Sequence, residues 1–104
     1  MDKAVLPESV NILGTVFQVR VVPLSDGLHG ESSQAGRYIA VDESLDECQQ
    51  LETFYHELVH AILDHGGYDS VLGEDKQEAL AQYLGMVLTY VQSFNELPKK
   101  GVMP

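Results

Sequence analysis

The period of the hydrophobic pattern changes along the chain. From Val10 to Val22 the residues are rich in β-branched types, and Phe17, Val19 and Val21 alternate with Gln18 and Arg20. A period of two marks a half-buried strand. Gly14-Thr15 interrupts the run as a two-residue hairpin turn of the Gly-X type. Pro23 ends it, since proline cannot donate to a strand ladder. Residues 24–36 hold three glycines and three serines and read as a long loop, functional or mobile. Tyr38 to Val41 reads as a third strand, with Ile39 and Val41 sharing a face.

Beyond Ser44 the period lengthens. Ser44 and Glu47 have the spacing of a capping box, in which each side chain satisfies the other's backbone N–H. A helix is predicted from there to about His65, with Leu51, Tyr55, Leu58 and Ile62 as its apolar stripe. Gly66-Gly67 supplies the stop. After a short loop over 66–73, a second helix is predicted from about Glu74 to Asn95. Its first turn carries two acids, and Leu80, Leu84, Val87, Leu88 and Val91 form its stripe. Pro98 and Lys99-Lys100 lie in an expected loose tail, about residues 96–104. The fold class is α+β, a small three-stranded sheet followed by two helices in a single domain over 1–104.

Composition narrows the function. The chain has 104 residues, with 6 basic against 16 acidic side chains and a net charge of −10. That balance argues against nucleic acid, whose phosphates need Lys and Arg. It argues equally against an anionic membrane surface. No apolar run suggests a membrane span, and the N-terminus does not look like a signal peptide. The lone Cys48 cannot form an internal disulfide, so a reducing cytoplasm is expected. Cys48 itself is read as an inert, partly buried residue. His29, in the glycine-rich loop, could approach the cleft but is read as solvated.

One string carries chemistry: His56-Glu57-Leu58-Val59-His60 on the first predicted helix. Residues four apart stack on one helix face, so two imidazoles so placed can hold one zinc ion. Glu57 points to the neighbouring flank, where it can act as general base on the attacking water. At roughly 100° per residue, the two histidines fall opposite the apolar stripe, facing solvent or a cleft.

A catalytic zinc takes three protein ligands. His65 does not have the spacing of a third histidine ligand and reads as a helix C-terminal residue favoured by the dipole. The second helix offers Glu74, Asp75 and Glu78. Glu78 lies roughly 140° from the apolar stripe, as the histidines do on their helix. Its position one turn inside the helix fixes its backbone better than that of Glu74. Gly85, two turns on, removes bulk from the same face. Glu78 is therefore the expected third ligand, with Glu74, or no third ligand from the protein, as the alternatives.

With these residues in place, the chain resembles small zinc metallopeptidases of the gluzincin type, in particular ImmA/IrrE-like proteins and short HExxH proteins encoded by phages and prophages. The similar stretches are Val10–Val22, Arg37–Ser44, Thr53–Leu63 and Glu78–Leu88. The resemblance implies a minimal zincin-like domain with His56, His60 and Glu78 as zinc ligands and Glu57 as the base. It implies a peptide or protein substrate. Larger gluzincins carry a downstream His or Tyr that stabilises an oxyanion; Tyr68, Tyr83 and His65 are the candidates here.

Two functional classes stand at this point. One is a zinc-dependent peptidase. The other is a non-catalytic zinc-containing structural or protein-interaction domain, since zinc can supply much of the stability of a small chain. Glu57 argues for the first, because a structural site needs no base beside its ligands. The sequence does not fix the oligomeric state.

Overall fold

The computed structural model describes residues 6–25 and 27–94. The α+β class holds, but the sheet has four strands rather than three. They are β1 (Ser9–Ile12), β2 (Thr15–Val22), β3 (Gly30–Ser33) and β4 (Tyr38–Asp42), in the order β1-β2-β4-β3. Two helices follow, α1 (Glu47–His65) and α2 (Glu74–Phe94), joined through a single 3-10 turn at Tyr68–Ser70. The expected tail and the end of the second helix at Asn95 lie outside the described residues. Among the described residues, no helix is long and apolar enough to cross a membrane.

The first hairpin turns at Leu13-Gly14, one residue earlier than expected. Both have positive φ, 51° and 91°, and Ile12 pairs with Thr15. Two positive φ values define the type I′ turn, whose twist matches the flanking strands. Gly14 N donates to Asn11 Oδ1 at 2.7 Å, which fixes the turn. β2 then pairs in parallel with β4, and β4 pairs antiparallel with β3. The added strand, Gly-Glu-Ser-Ser, lies inside the segment expected to be a loop. It makes β3 a sheet edge and β4 an inner strand.

One sheet face packs on the helices. Val10, Ile12, Phe17, Ile39 and Val41 form a core with Leu51, Phe54, Tyr55, Leu58 and Ala61 of α1. The opposite face is more open. There the Arg20 guanidinium lies 4.3 Å from the Tyr38 ring centroid, and Tyr38 OH donates to Glu31 Oε2 at 3.0 Å. Ile62, expected on the α1 stripe, is exposed, and the buried seam runs through Ala61 instead.

The start of α1 is also shifted. Its N-cap is Asp46, whose Oδ1 accepts from Gln49 N at 2.8 Å, while Gln49 Oε1 accepts from Asp46 N. Ser44 is not the cap because its hydroxyl is used elsewhere, donating to Asp42 Oδ2 at 2.7 Å. Two overlapping capping boxes exist in the sequence, and the later one wins. Cys48, in the first turn, is exposed rather than partly buried.

α2 packs only partly through its predicted stripe: Leu84, Val87 and Leu88 are partly buried, and Leu88 packs on the core. Leu80, Tyr83 and Val91 are exposed. The buried positions are small: Ala81, Gly85 and Thr89. The true seam is thus rotated by roughly 100° around α2 from the expected stripe, taking one residue as 100°. Gly85 lets the helices close. A Cβ there would lie 3.1 Å from His56 N and 3.2 Å from His56 Cα. The buried Thr89 hydroxyl is satisfied by Gly85 O at 2.7 Å, and Tyr55 OH donates across the seam to Gln92 Oε1.

Candidate metal centre

The rotated seam decides where the polar residues of α2 go. With Ala81 and Gly85 against α1, Glu78 leaves the helix on the flank next to that contact. His56 and His60, one turn apart on α1, leave on the same side. Their ring centroids are 5.1 Å apart. His56 Nε2 lies 3.2 Å from Glu78 Oε2, and His60 Nε2 lies 2.9 Å from Glu78 Oε1. Among the described residues, these three form the group whose possible ligand atoms all lie within 4.8 Å of one another.

The donor set suits zinc. Two imidazole nitrogens and one carboxylate, with no thiolate, match an open catalytic site more than a closed structural one. Ligands on a tetrahedral zinc at ~2.0–2.1 Å stand about 3.3 Å apart. The His–Glu separations of 3.2 and 2.9 Å come close to that. An ion seated there would need each His–Glu pair to open by only a few tenths of an ångström. The same three groups form a charge-assisted triad when no metal is present.

Electrostatics follow from the packing. Burial acts to raise the Glu78 pKa, but the hydrogen bond to His60 and the nearby imidazoles outweigh it and hold the carboxyl below its usual range. Burial acts to lower the His60 pKa, but hydrogen bonds to Gln77 and Glu78 outweigh it and raise the ring above the usual histidine range. Glu57 goes the other way. Burial pushes its carboxyl up, against the His60 and His56 rings and a hydrogen bond with Ser32. It is half-buried between α1 and β3, and Gly30 of β3 makes that approach possible. A Cβ at Gly30 would meet Thr53 Cγ2 at 2.5 Å and Glu57 Cγ at 3.1 Å.

An open cleft of about 460 Å³ lies between β3, α1 and α2. Gly30, His56, Glu57 and Glu78 lie along it with Glu52, Thr53, Gln82 and Met86. His29, expected to be merely solvated, is exposed and also lines it. The other candidates are elsewhere. Glu74 and Asp75 are exposed in the first turn of α2, outside the converging group. His65 accepts at Nδ1 from Gln34 Nε2 at 2.9 Å and packs edge-on to Phe17. Tyr68 and Tyr83 are exposed and do not line the cleft.

Two features of the site escaped the sequence reading. One is Ser32 beside Glu57, on a strand with no apolar pattern. The other is Gln77, whose Oε1 lies 2.9 Å from His60 Nδ1. An exposed-looking Lys-Gln-Glu stretch gives no local signal for such a role.

A model of the family described as IrrE N-terminal-like domain, Peptidase_M78, matches residues 14–96. Searches of curated proteins and of solved structures gave no match.

Proposed function

The chain belongs to the IrrE N-terminal-like family, Peptidase_M78, and from that premise we propose that it is a zinc-dependent peptidase with His56, His60 and Glu78 as ligands and Glu57 as general base. The family is one of zinc metallopeptidase-like domains, so a metal and a peptide or protein substrate are the expected company. The observation that carries the finer reading is the convergence of three ligand atoms, all within 4.8 Å of one another, beside a fourth group that is half-buried and basic.

Bound there, zinc would act as a Lewis acid that acidifies water and polarises a substrate carbonyl. The protein's own groups do the rest. His56 and His60 are fixed by the α1 backbone, so both present Nε2 to one point. Glu78 contributes one negative charge and closes the set from α2. Glu57 stands next to the pair without belonging to it, and takes the proton of the attacking water on a carboxylate oxygen. It then delivers that proton to the leaving amine. Burial, which raises the Glu57 pKa, makes it a stronger proton acceptor than an exposed carboxylate.

Substrate would enter along β3. This strand is one of the two sheet edges and flanks the cleft. An extended peptide laid against it can add as a further strand through backbone hydrogen bonds. A cytoplasmic setting fits the lone, exposed Cys48.

The test is Glu57→Gln. It removes a proton acceptor and no ligand. The zinc-loaded variant should keep one equivalent of metal while cleavage of a peptide library falls by about 10²–10⁴-fold. Loss of zinc together with activity would make Glu57 a ligand. A zinc-loaded wild type that cleaves nothing would favour a structural or interaction role for the metal.

A further inference from the structure

His60 is gripped on both ring nitrogens. Nε2 lies 2.9 Å from Glu78 Oε1, and Nδ1 lies 2.9 Å from Gln77 Oε1. The two partners are consecutive residues of α2, so the imidazole enters between neighbouring side chains. Gln77 is well placed to hold it. Its backbone N–H donates to Gly73 O at 3.0 Å, within the opening turn of α2, and its side chain is half-buried.

The chemistry of this contact is one-sided. An amide oxygen carries no hydrogen and can only accept, so Nδ1 must carry a proton. Nε2 faces the Glu78 carboxylate, which also only accepts, so with both contacts made each ring nitrogen donates. A cation that takes the place of the Nε2 proton leaves Nδ1–H on Gln77 and the Nε2 lone pair on the ion. The opposite tautomer would place N–H on Nε2 and could not bind a cation. The partner of the non-ligating nitrogen sets the tautomer of a metal-binding histidine. A neutral amide does this without adding a further negative charge beside Glu57 and Glu78.

We propose that Gln77 is a positioning residue of the metal centre, its side-chain oxygen holding His60 in the Nδ1–H tautomer with Nε2 presented to the ion. This rests on the metal reading above and adds to it a residue that touches neither metal nor substrate. It also explains why the first turn of α2 must be ordered for the site to form: one turn carries both a ligand and the group that orients another ligand.

The test uses the full chain and two substitutions. Gln77→Leu keeps the size and removes the acceptor, whereas Gln77→Glu keeps an acceptor. Zinc affinity is measured by competition with a chromophoric chelator. The His60 Nδ1 proton is followed in the zinc-loaded protein by ¹H–¹⁵N NMR. We expect Gln77→Leu to weaken zinc by about 10–100-fold and to let the His60 Nδ1 proton, held by Gln77 in the wild type, exchange rapidly with solvent. Gln77→Glu should bind zinc at least as tightly as wild type. Melting of the metal-free protein should be nearly the same for all three. Wild-type affinity in Gln77→Leu would overturn the proposal. So would a Gln77→Glu variant as weak as Gln77→Leu, or a melting temperature that falls in step with affinity. A wild type that takes up no zinc would instead bring down the metal reading itself.

Discussion

Glu57 sits between opposing influences, and their balance is measurable without any metal. Burial favours its neutral form, while the His60 and His56 rings and the Ser32 hydroxyl favour the charged form; burial wins and the pKa is raised. A carboxyl with a raised folded-state pKa binds its proton more tightly folded than unfolded. Its contribution to stability is therefore complete below the unfolded carboxylate pKa and is lost as pH rises through the folded value. Metal-free wild type should lose stability relative to Glu57→Gln as pH climbs from the carboxylate range toward neutrality. Urea melts of both proteins across that range check this. Parallel curves would mean that Glu57 is as well solvated folded as unfolded. At this scale the sequence was informative. The His-Glu-x-x-His spacing places three groups on adjacent flanks of any helix that carries it. Gln77 and Ser32 were not legible, because their roles depend on what another element brings to them.

At the scale of elements, the reading of α2 teaches the most. The large apolar residues suggested a seam through Leu80, Leu84, Val87, Leu88 and Val91; Leu84, Val87 and Leu88 are partly buried, but the fully buried positions are Ala81, Gly85 and Thr89. Close approach outweighed bulk, because the first helix passes against Gly85 at His56. Glu78 was singled out for lying off the apolar stripe, and it reaches the histidines because it borders the small-residue seam. β3 was missed for a related reason. Gly30-Glu31-Ser32-Ser33 has no hydrophobic alternation, and its strand conformation comes from pairing with β4 and from small residues that admit α1. This yields a prediction for the joint between them. Gly30→Ala would put a methyl 2.5 Å from Thr53 Cγ2 and 3.1 Å from Ala40 O. Such overpacking costs about 1–3 kcal/mol. Thr53→Ala removes the nearest atom and should restore part of the loss in the double variant. Denaturant unfolding of the four proteins measures this coupling, and strict additivity would contradict the contact.

For the molecule as a whole, the site lies across the contact between α1 and α2, the most extensive between any two elements among the described residues. The sheet and α1 share a large apolar cluster, against which Leu88 of α2 packs. A metal held by α1 and α2 together would fasten the second helix to the rest. A ligand bound only by the native state stabilises it by mass action, about 2.7 kcal/mol at a hundredfold its dissociation constant. In a domain of this size that corresponds to a melting-temperature rise on the order of 10–20 °C. Thermal melts with added zinc and with excess chelator should differ by that order, and identical melts with zinc demonstrably removed would show that it does not join the helices. The α+β order, the helix pair and the candidate ligands were all readable from the sequence. Strand order and the edge position of β3 were not, since both depend on non-local pairing.

The most direct test is a crystal structure of the zinc-loaded chain, with the ion located by anomalous scattering at the zinc edge. The account predicts one zinc, with Nε2 of His56, Nε2 of His60 and a carboxylate oxygen of Glu78 each within about 2.0–2.2 Å. Glu57 should lie outside that shell, on the cleft side. A zinc bound by Glu74, Asp75 or His65 in place of Glu78, or an ion found away from the two histidines, would contradict it.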